Sequence, residues 1–373
     1  MPIIFKSLKY LQLLLIIMCS TFLVSSVQAT LYEDAEQYGV QNNIQKPNRT
    51  ADGWYVYDYT PAGAVVHSVY DAIKQSHVIQ FVGQAGTNAN GYVIGDWYPT
   101  SPGSWNNNAE FNVSWCHRYA GPFVVFMRVF VANSVTYTHP RTGSVITTKQ
   151  RYLTYTASAV DGGINTNYPN YLNLGLGNST QNGQWHSIQR NMLADLQQYE
   201  PGNTITSVTA FLIRGNGKID DIELTALPLN PALNLKKTTK TIHDPVNGLT
   251  NPKAIPGATV EYTITAENIS NGSADSGSTV IKDKVPAKMK LCVSTIAQCI
   301  SPNINTANNS SGLSLAGVQY SNNNGTSYVY NPVADAGGYD SAVTHVKYQF
   351  NDKFLGSCGV DRSVELKMRM GVK

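Results

Sequence analysis

The chain has 373 residues, of which only 14% are charged, and its formal net charge at pH 7 is +3. This near-neutral balance argues against a nucleic-acid partner, because proteins that bind nucleic acid carry a basic stripe or patch. Tyrosine and glycine are abundant and charged residues are scarce, a composition typical of exported β-sandwich proteins and not of cytosolic enzymes. At this length we expect two domains.

Residues 1–29 have the pattern of an export signal. Lys6 and Lys9 precede an apolar run over residues 11–24, and small residues end at Ala29, so we expect cleavage after Ala29. The run is shorter than the roughly 20 residues that a membrane span needs, although an uncleaved anchor is the alternative. Removing the two lysines lowers the net charge from +3 to +1. The mature chain is expected to be secreted or held at the cell surface.

Residues 30–228 form the first predicted domain, in which many short strands are separated by Gly, Asn and Pro turns. The segment around Trp54 alternates, with Trp54 and Val56 on one face and Tyr55 and Tyr57 on the other. Further strands are predicted over residues 64–70, 77–83, 91–95, 110–119, 123–132, 151–157, 207–214 and 218–225. Short strands at regular spacing predict an all-β sandwich or jelly roll.

One short helix and one buried carboxylate stand out near the end of this domain. Apolar residues at helical spacing predict a helix over residues 187–198, which the following Pro-Gly pair ends. In the last strand Asp220 shares parity with Ile222 and Leu224, which are expected to face the core. A carboxylate on that side costs several kcal/mol unless it is paired. We therefore expect Asp220 either to cap a backbone turn or to hold a cation.

The two ends of this domain resemble those of a known family. Leu31-Tyr32-Glu33-Asp34 with Asp52-Gly53-Trp54 at the start, and Ile219-Asp220-Asp221-Ile222 at the end, are similar to carbohydrate-binding-module-like (galactose-binding-like) jelly rolls of secreted bacterial proteins. The resemblance implies a jelly-roll β-sandwich that binds extracellular polysaccharide without catalysis. It also implies adjacent first and last strands and a structural calcium ion held by Glu33, Asp34 and Asp220, with exposed acids as the alternative.

Aromatic side chains are the expected sugar contacts of such a domain. The apolar face of a sugar ring stacks on indole or phenol rings, while amide and charged groups bind its hydroxyls. The predicted carbohydrate-binding residues are Tyr57, Trp97, Tyr98, Trp105 and Tyr152. Trp115 shares parity with apolar neighbours and is predicted to be a core residue, and the tyrosines around Tyr57 have the same alternative. Trp185 is expected to close the sandwich.

Residues 229–373 form the second predicted domain. The Pro- and Asn-rich segment over residues 251–257, the alternating strand over 260–268 and the run Val280-Ile281-Lys282-Asp283-Lys284-Val285-Pro286 resemble the conserved-repeat Ig-like domain of bacterial surface proteins. The resemblance implies a smaller Ig-like β-sandwich that serves as a spacer. Residues 301–324, rich in Asn and Ser, are predicted to be long loops, and residues 344–350 and 363–370 to be the closing strands.

Four cysteines remain after removal of the signal. Cys292 and Cys299 are close in sequence, so a local disulfide is predicted between them in an oxidising compartment. The alternative pairing joins one of them to Cys358. Cys116 is predicted to be a buried free thiol. A catalytic pair of Cys116 with His117 is not expected, because adjacent strand residues point to opposite faces.

No catalytic motif is recognised, so we expect no enzyme activity. The nucleophile elbow, the zinc-protease helix and the phosphate-binding loop are all missing from the sequence. A polysaccharide lyase would draw on His117, Arg118, Tyr119, Arg151 and Tyr152, and a glycosidase on Asp58, Asp96, Glu110 and Asp161. The sequence instead predicts an exported polysaccharide-binding protein. The alternative is a structural surface or matrix protein, an adhesin-like spacer without a sugar site.

Overall fold

A computed structural model of the protein describes residues 29–46, 53–58, 60–83, 90–96 and 105–373. In this part of the chain the regular structure is almost entirely β-strand, with one α-helix (α1, Met192–Tyr199) and one 3-10 turn (Asn178–Gln181). The strands form two sets, within residues 29–225 and 233–372, and each set has its own hydrophobic core. The predicted all-β fold, one sandwich followed by a smaller one, is confirmed. The predicted signal peptide, except for Ala29, lies outside the described residues.

The first sandwich consists of two facing sheets. Its strands are β1 (Ala29–Glu33), β2 (Tyr55–Val56), β3 (Val65–Asp71), β4 (Ser76–Val82), β5 (Gly91–Gly95), β6 (Asn112–Arg118), β7 (Val124–Thr138), β8 (Val145–Thr156), β9 (Gly163–Ile164), β10 (Tyr171–Gly175), β11 (Trp185–Asn191), β12 (Ile205–Arg214) and β13 (Gly217–Thr225). The six-stranded sheet has the order β11-β6-β13-β4-β3, with β1 beside β13. The seven-stranded sheet has the order β2-β5-β12-β7-β8-β10-β9. The first and last strands are therefore neighbours, as predicted.

The core of this sandwich lies between the two sheets and is rich in aromatic rings. Trp54 and Trp115 are buried there, each with its ring edge-on to Phe211. The hydrogen bond from Trp54 Nε1 to Glu33 Oε2 (2.6 Å) ties the start of the sandwich to this core. Trp54 and Glu33 belong to the opening motif noted in the sequence. The motif therefore encodes a buried contact between the first strand and the core.

The second sandwich is smaller and follows a short connection at residues 226–232. Its strands are β14 (Leu233–His243), β15 (Thr259–Asn268), β16 (Val280–Lys284), β17 (Met289–Cys292), β18 (Asn303–Asn309), β19 (Leu315–Ser321), β20 (Tyr339–Asp340), β21 (His345–Phe350) and β22 (Ser363–Val372). One sheet has the order β14-β15-β22-β17-β20, with β18 beside β22, and the other has the order β16-β21-β19. Alternate residues of β22 and β21, such as Leu366 and Val346, fill the core between them.

Two local predictions are wrong. The helix predicted over 187–198 begins only at Met192, because the preceding residues pair with β6, with Ile188 opposite Trp115. The Asn191 side chain accepts a hydrogen bond from Ala194 N (2.9 Å) and so fixes the start of α1. The loops predicted over 301–324 contain β18 and β19. Asn side chains suit β18 because one of them, Asn305, donates to Glu365 on the neighbouring β22 (2.8 Å).

A disulfide joins the two sandwiches. Cys116 in β6 is bonded to Cys358 in the loop before β22, with Cα atoms 5.7 Å apart and a sequence separation of 242. The prediction of a free thiol at Cys116 is therefore wrong. Its Sγ lies on the outer side of the six-stranded sheet, in a small apolar cluster with Val78 and Trp185. Trp185 thus closes the junction between the sandwiches and not the core of the first.

The other disulfide is local. The structure pairs Cys292 at the end of β17 with Cys299, with Cα atoms 5.4 Å apart. Both cysteines are buried. Because Cys358 is bonded to Cys116, neither Cys292 nor Cys299 is paired with it. The bridge encloses residues 293–298, which follow β17 and precede the predicted loops over 301–324.

Candidate functional site

A group of aromatic side chains lies on the outer face of the seven-stranded sheet. Strand alternation places them there: Phe211 of β12 and Leu153 of β8 point into the core, and their neighbours point outward. The group packs over the buried outward residues Val93 and Leu212. We call it the aromatic face, defined by half-buried Tyr57, Phe126, Tyr152, Tyr168 and Tyr171.

Four rings of this face, those of Phe126, Tyr152, Tyr168 and Tyr171, are linked by ring contacts. Tyr152 and Tyr171 occupy matched positions on the parallel neighbours β8 and β10, and their rings stack with centroids 4.5 Å apart at an angle of 28°. Phe126 meets the Tyr171 ring edge-on at 6.3 Å, and Tyr168 meets it at 6.1 Å. Parallel strands in register therefore create the stacked pair at the centre of the series.

Hydrogen-bonding groups border these rings. The Tyr152 hydroxyl donates to Gln150 Oε1 (3.2 Å), and Gln150 lies on the same side of β8. At the Tyr57 end, Arg214 Nη2 is 2.6 Å from Asp58 Oδ2. Burial raises the pKa of both Tyr152 and Tyr171, so the two phenols remain neutral at physiological pH. Apolar ring faces next to amide, hydroxyl and guanidinium groups are the combination that sugars require.

The structure places two of the five predicted sugar contacts on the aromatic face. Tyr57 and Tyr152 both belong to the aromatic face. Trp105 does not, since it is only 1% exposed and its ring packs against Tyr32 with centroids 3.8 Å apart. A ring buried in this way cannot stack on a ligand, which corrects the prediction for Trp105. Trp97 and Tyr98 lie outside the described residues.

Sequence reasoning missed Tyr171, Tyr168 and Phe126. The signal for Tyr171 was available, because β10 alternates between Tyr171 and Asn173 on one side and two leucines on the other. Phe126 was hidden in a continuous apolar run, in which alternation does not distinguish the outer from the inner face. What the sequence could not indicate is the parallel pairing of β8 with β10 that brings Tyr152 and Tyr171 together.

Arg128 shows that part of this outer sheet face is covered. It is on the same side of β7 as Phe126 but is only 1% exposed. Its Nη1 donates to the carbonyl oxygen of Asp96 (2.7 Å) and to Thr209 Oγ1 (3.1 Å), while its guanidinium lies over the Phe130 ring at 4.9 Å. Arg128 therefore supports the sheet beside the aromatic face.

The residues predicted to hold calcium do not form one site. Glu33 is buried and accepts hydrogen bonds from Trp54 Nε1 and from Ala35 N (2.8 Å), and its burial raises its pKa. Asp34 is half-buried and accepts from Glu36 N (3.2 Å). In the part of the chain that the structure describes, no three His, Cys, Asp or Glu side chains gather as metal ligands.

Asp220 is paired with a protein cation. The ammonium of Lys74 contacts Asp220 Oδ2 and also lies 2.8 Å from Asp221 Oδ2. A β-bulge after Asp220, with Asp221 at φ 50°, changes the parity of β13, so that Ile219 and Ile222 both face the core. Asp220 therefore lies on the outer face under the second sandwich, contrary to prediction. A lysine in this place does not fit a calcium site.

The residues weighed for catalysis do not line one cleft. His117 is fully buried in the core, where its Nδ1 accepts from Trp115 Nε1 (2.9 Å) and its Nε2 donates to the carbonyl oxygen of Thr180 (3.0 Å). Arg151 is buried in a two-bond ion pair with Glu200, at 2.6 and 3.0 Å. Tyr152 faces the opposite side of β8 from Arg151. The absence of enzyme activity stays a prediction.

No family model matches the chain, and no curated protein sequence is detectably similar to it. None of the helices in the described part of the chain has the length and apolar character that a membrane crossing needs.

Proposed function

We propose that the protein is an exported, non-catalytic carbohydrate-binding protein and that sugar rings stack on the aromatic face of its first sandwich. The stacked pair of Tyr152 and Tyr171 carries the proposal. Aromatic rings on an outward sheet face offer an apolar platform, and the hydrogen-bonding groups beside them match the hydroxyls at a sugar's edge. The proposed partner is an extracellular polysaccharide at or near the cell surface.

The resemblance of the first sandwich to carbohydrate-binding-module-like jelly rolls supports this proposal. The contact of Glu33 with Trp54 gives a structural role to the opening motif on which that resemblance rests. In the same proposal the second sandwich, which resembles the conserved-repeat Ig-like domain, is a spacer. Its contribution would be to hold the aromatic face at a fixed distance from whatever anchors the protein.

Binding to a panel of insoluble polysaccharides tests the proposal. Residues 30–373 are mixed with each polymer, and depletion from solution is measured for wild type, Tyr152→Ala and Tyr171→Ala. We expect selective depletion by one class of polymer, and a loss of affinity of about tenfold for either variant, since an aromatic contact contributes roughly 0.5–1.5 kcal/mol beyond its buried area.

Tyr70→Ala is the matched control. Tyr70 is a tyrosine of the same sandwich that is 54% exposed, on β3 in the other sheet, so its removal should leave depletion unchanged. If no polymer depletes the wild type, or if Tyr70→Ala has the same effect as the two aromatic-face variants, the proposal fails.

The second candidate is a structural surface protein without a sugar site. Two observations favour it: Trp105, a predicted platform residue, is buried, and a disulfide fixes the two sandwiches to each other. Two sandwiches that are covalently joined suit a spacer. This candidate predicts no polysaccharide binding, so the depletion experiment distinguishes it from the first.

A further inference from the structure

A cleft of about 510 Å³ lies where the two sandwiches meet. The first sandwich contributes residues of the 3-10 turn and of β11, and the second contributes the segments 309–312 and 353–362. Most of the lining side chains are amides or hydroxyls, among them Asn182, Gln189, Ser273 and Asn309. The lining includes no residue of the aromatic face and none of the sugar contacts predicted from the sequence. Sites between domains are common places for small ligands.

The lining of the cleft is cationic. It includes Arg190, Lys353 and Arg362 and no carboxylate side chain. Arg190 is neutralised by Asp195. Arg362 and Lys353 form no ion pair within the described residues. Two positive charges therefore face the cleft without a counter-charge in contact.

The charge at the cleft also depends on His186 in the lining and on Asp361 beside it. Burial lowers the pKa of His186 to about 4, so that this lining residue is neutral at pH 7. Asp361 is next to Arg362 in sequence and raises its pKa, but its carboxylate accepts hydrogen bonds from Ser310 and Ser363 (both 3.2 Å). Among the residues that line the cleft, the charged side chains are therefore all cations.

Two of the three guanidinium nitrogens of Arg362 form hydrogen bonds. One nitrogen donates to the carbonyl oxygen of Trp185 in the first sandwich and another to that of Ser310 (3.3 Å). Its Nε is buried and has no hydrogen-bond partner. Burial is the main influence on Arg362 and lowers its pKa, so a bound anion would stabilise the charged side chain.

The cleft is preformed. The Cys116–Cys358 disulfide fixes its two walls, and across the same junction Ser187 Oγ donates to Asn271 O (2.6 Å). Gln189 Nε2 also reaches Leu229 O in the connection between the sandwiches (3.2 Å). A ligand entering this cleft would not have to order the two sandwiches first, which lowers the entropic cost of binding.

We propose that the junction cleft is a second binding site, specific for an acidic saccharide whose carboxylate lies between Arg362 and Lys353. The amide and hydroxyl side chains around them would bind the sugar hydroxyls. The choice of a saccharide rests on the proposed carbohydrate-binding function. The junction cleft is separate from the aromatic face, so an experiment can disprove binding at either site without disproving binding at the other.

Calorimetric titration of residues 30–373 with trigalacturonate tests the proposal, with galactotriose as the neutral ligand of equal length and sulfate as a simple anion. We expect trigalacturonate to bind at least tenfold more tightly than galactotriose. Lys353→Gln should weaken trigalacturonate about tenfold, because it removes one charge-assisted contact. Lys353 is exposed, so its substitution should leave the fold intact.

Three further variants test whether trigalacturonate binding depends on the charged residues of the cleft. Lys284→Gln removes the same charge from an exposed position outside the cleft and should leave affinity within about twofold of wild type. Arg362→Gln should weaken binding more than Lys353→Gln, with thermal melting as the check on folding. The double variant Tyr152→Ala, Tyr171→Ala should bind trigalacturonate as wild type does, even if it no longer binds insoluble polysaccharide.

Four outcomes would overturn the proposal. They are equal affinity for galactotriose and trigalacturonate, no effect of Lys353→Gln, loss of trigalacturonate binding in the aromatic double variant, and binding of sulfate without trigalacturonate. The third would place the acidic sugar on the aromatic face instead, and the fourth would leave only a simple anion site.

Discussion

The ammonium of Lys74 and the carboxylate of Asp220 form an ion pair that is almost closed to solvent, with side-chain exposures of 5% and 0%. Lys74 follows β3 in a turn that Asp71 stabilises by accepting from Lys74 N (3.1 Å), and Asp220 lies on β13. The second sandwich covers the pair: Asn271 donates to the adjacent Asp221 (3.2 Å). The pair thus links two strands of the first sandwich beneath the junction.

Removing Lys74 should destabilise the protein strongly. Lys74→Met would leave Asp220 and Asp221 without a counter-charge, and breaking a buried pair typically costs about 3–5 kcal/mol. Urea unfolding measures the change. The double variant Lys74→Met, Asp220→Asn should regain part of the lost stability, because it removes one of the two unpaired carboxylate charges. Unchanged stability of Lys74→Met would show that the pair is solvated in solution.

The disulfide between the sandwiches should contribute to stability more than the local one. In the chain-entropy model, closing a loop of 242 residues stabilises by about 5 kcal/mol, and closing the seven-residue loop between Cys292 and Cys299 by about 2.5 kcal/mol. We expect Cys116→Ser, Cys358→Ser to lower the unfolding midpoint more than Cys292→Ser, Cys299→Ser does. An equal shift for both pairs would contradict this ranking. Faster proteolysis at residues 226–232 in the first variant would show directly that the junction has loosened.

The Lys74–Asp220 ion pair and the Cys116–Cys358 disulfide also show which features of the fold could not be predicted from the sequence. Strands such as β12 and β13 could be predicted because alternation is a local signal. The face of Asp220 could not, because a bulge at Asp221 reverses the parity of β13. That bulge depends on the pairing of β13 with β6, which is set by tertiary structure. Cys358 has no local signal at all, since its partner is 242 residues away.

The aromatic face, too, could be predicted from the sequence only in part. Tyr57 and Tyr152 were predicted from composition and alternation, and both lie on it. Trp105 was predicted from its position in a polar, Pro-containing segment, but the core has room for its ring beside Tyr32. Large aromatic rings gain much from burial, so a polar neighbourhood in sequence does not keep a tryptophan at the surface.

His117 should make a contribution to stability that is lost as the pH is lowered below 6.5. Burial lowers the pKa of His117 to about 3 in the folded protein, while an unfolded histidine titrates near 6.5. Its contribution is therefore fully present above pH 6.5 and is lost as pH falls toward 3, at about 1.4 kcal/mol per pH unit. Between pH 7 and pH 5 we expect His117 to contribute a loss of about 2 kcal/mol, measured as the difference between wild type and His117→Gln in urea unfolding. His117→Gln should flatten this dependence, and His345→Gln, on β21 of the second sandwich, should not.

Calcium should have little effect on thermal stability. The resemblance of the chain ends implies a structural calcium ion at Glu33, Asp34 and Asp220, but Lys74 already neutralises Asp220, and Glu33 is bound by Trp54. Calcium requires six to eight oxygen ligands, and an ammonium group among them repels the ion. We therefore expect the same melting temperature for residues 30–373 in excess calcium and in excess chelator. An increase of several degrees in calcium would show that Lys74 moves aside and that the calcium site implied by the resemblance exists. If Lys74→Met gains calcium-dependent stability that the wild type lacks, the lysine takes the place of the ion in this chain.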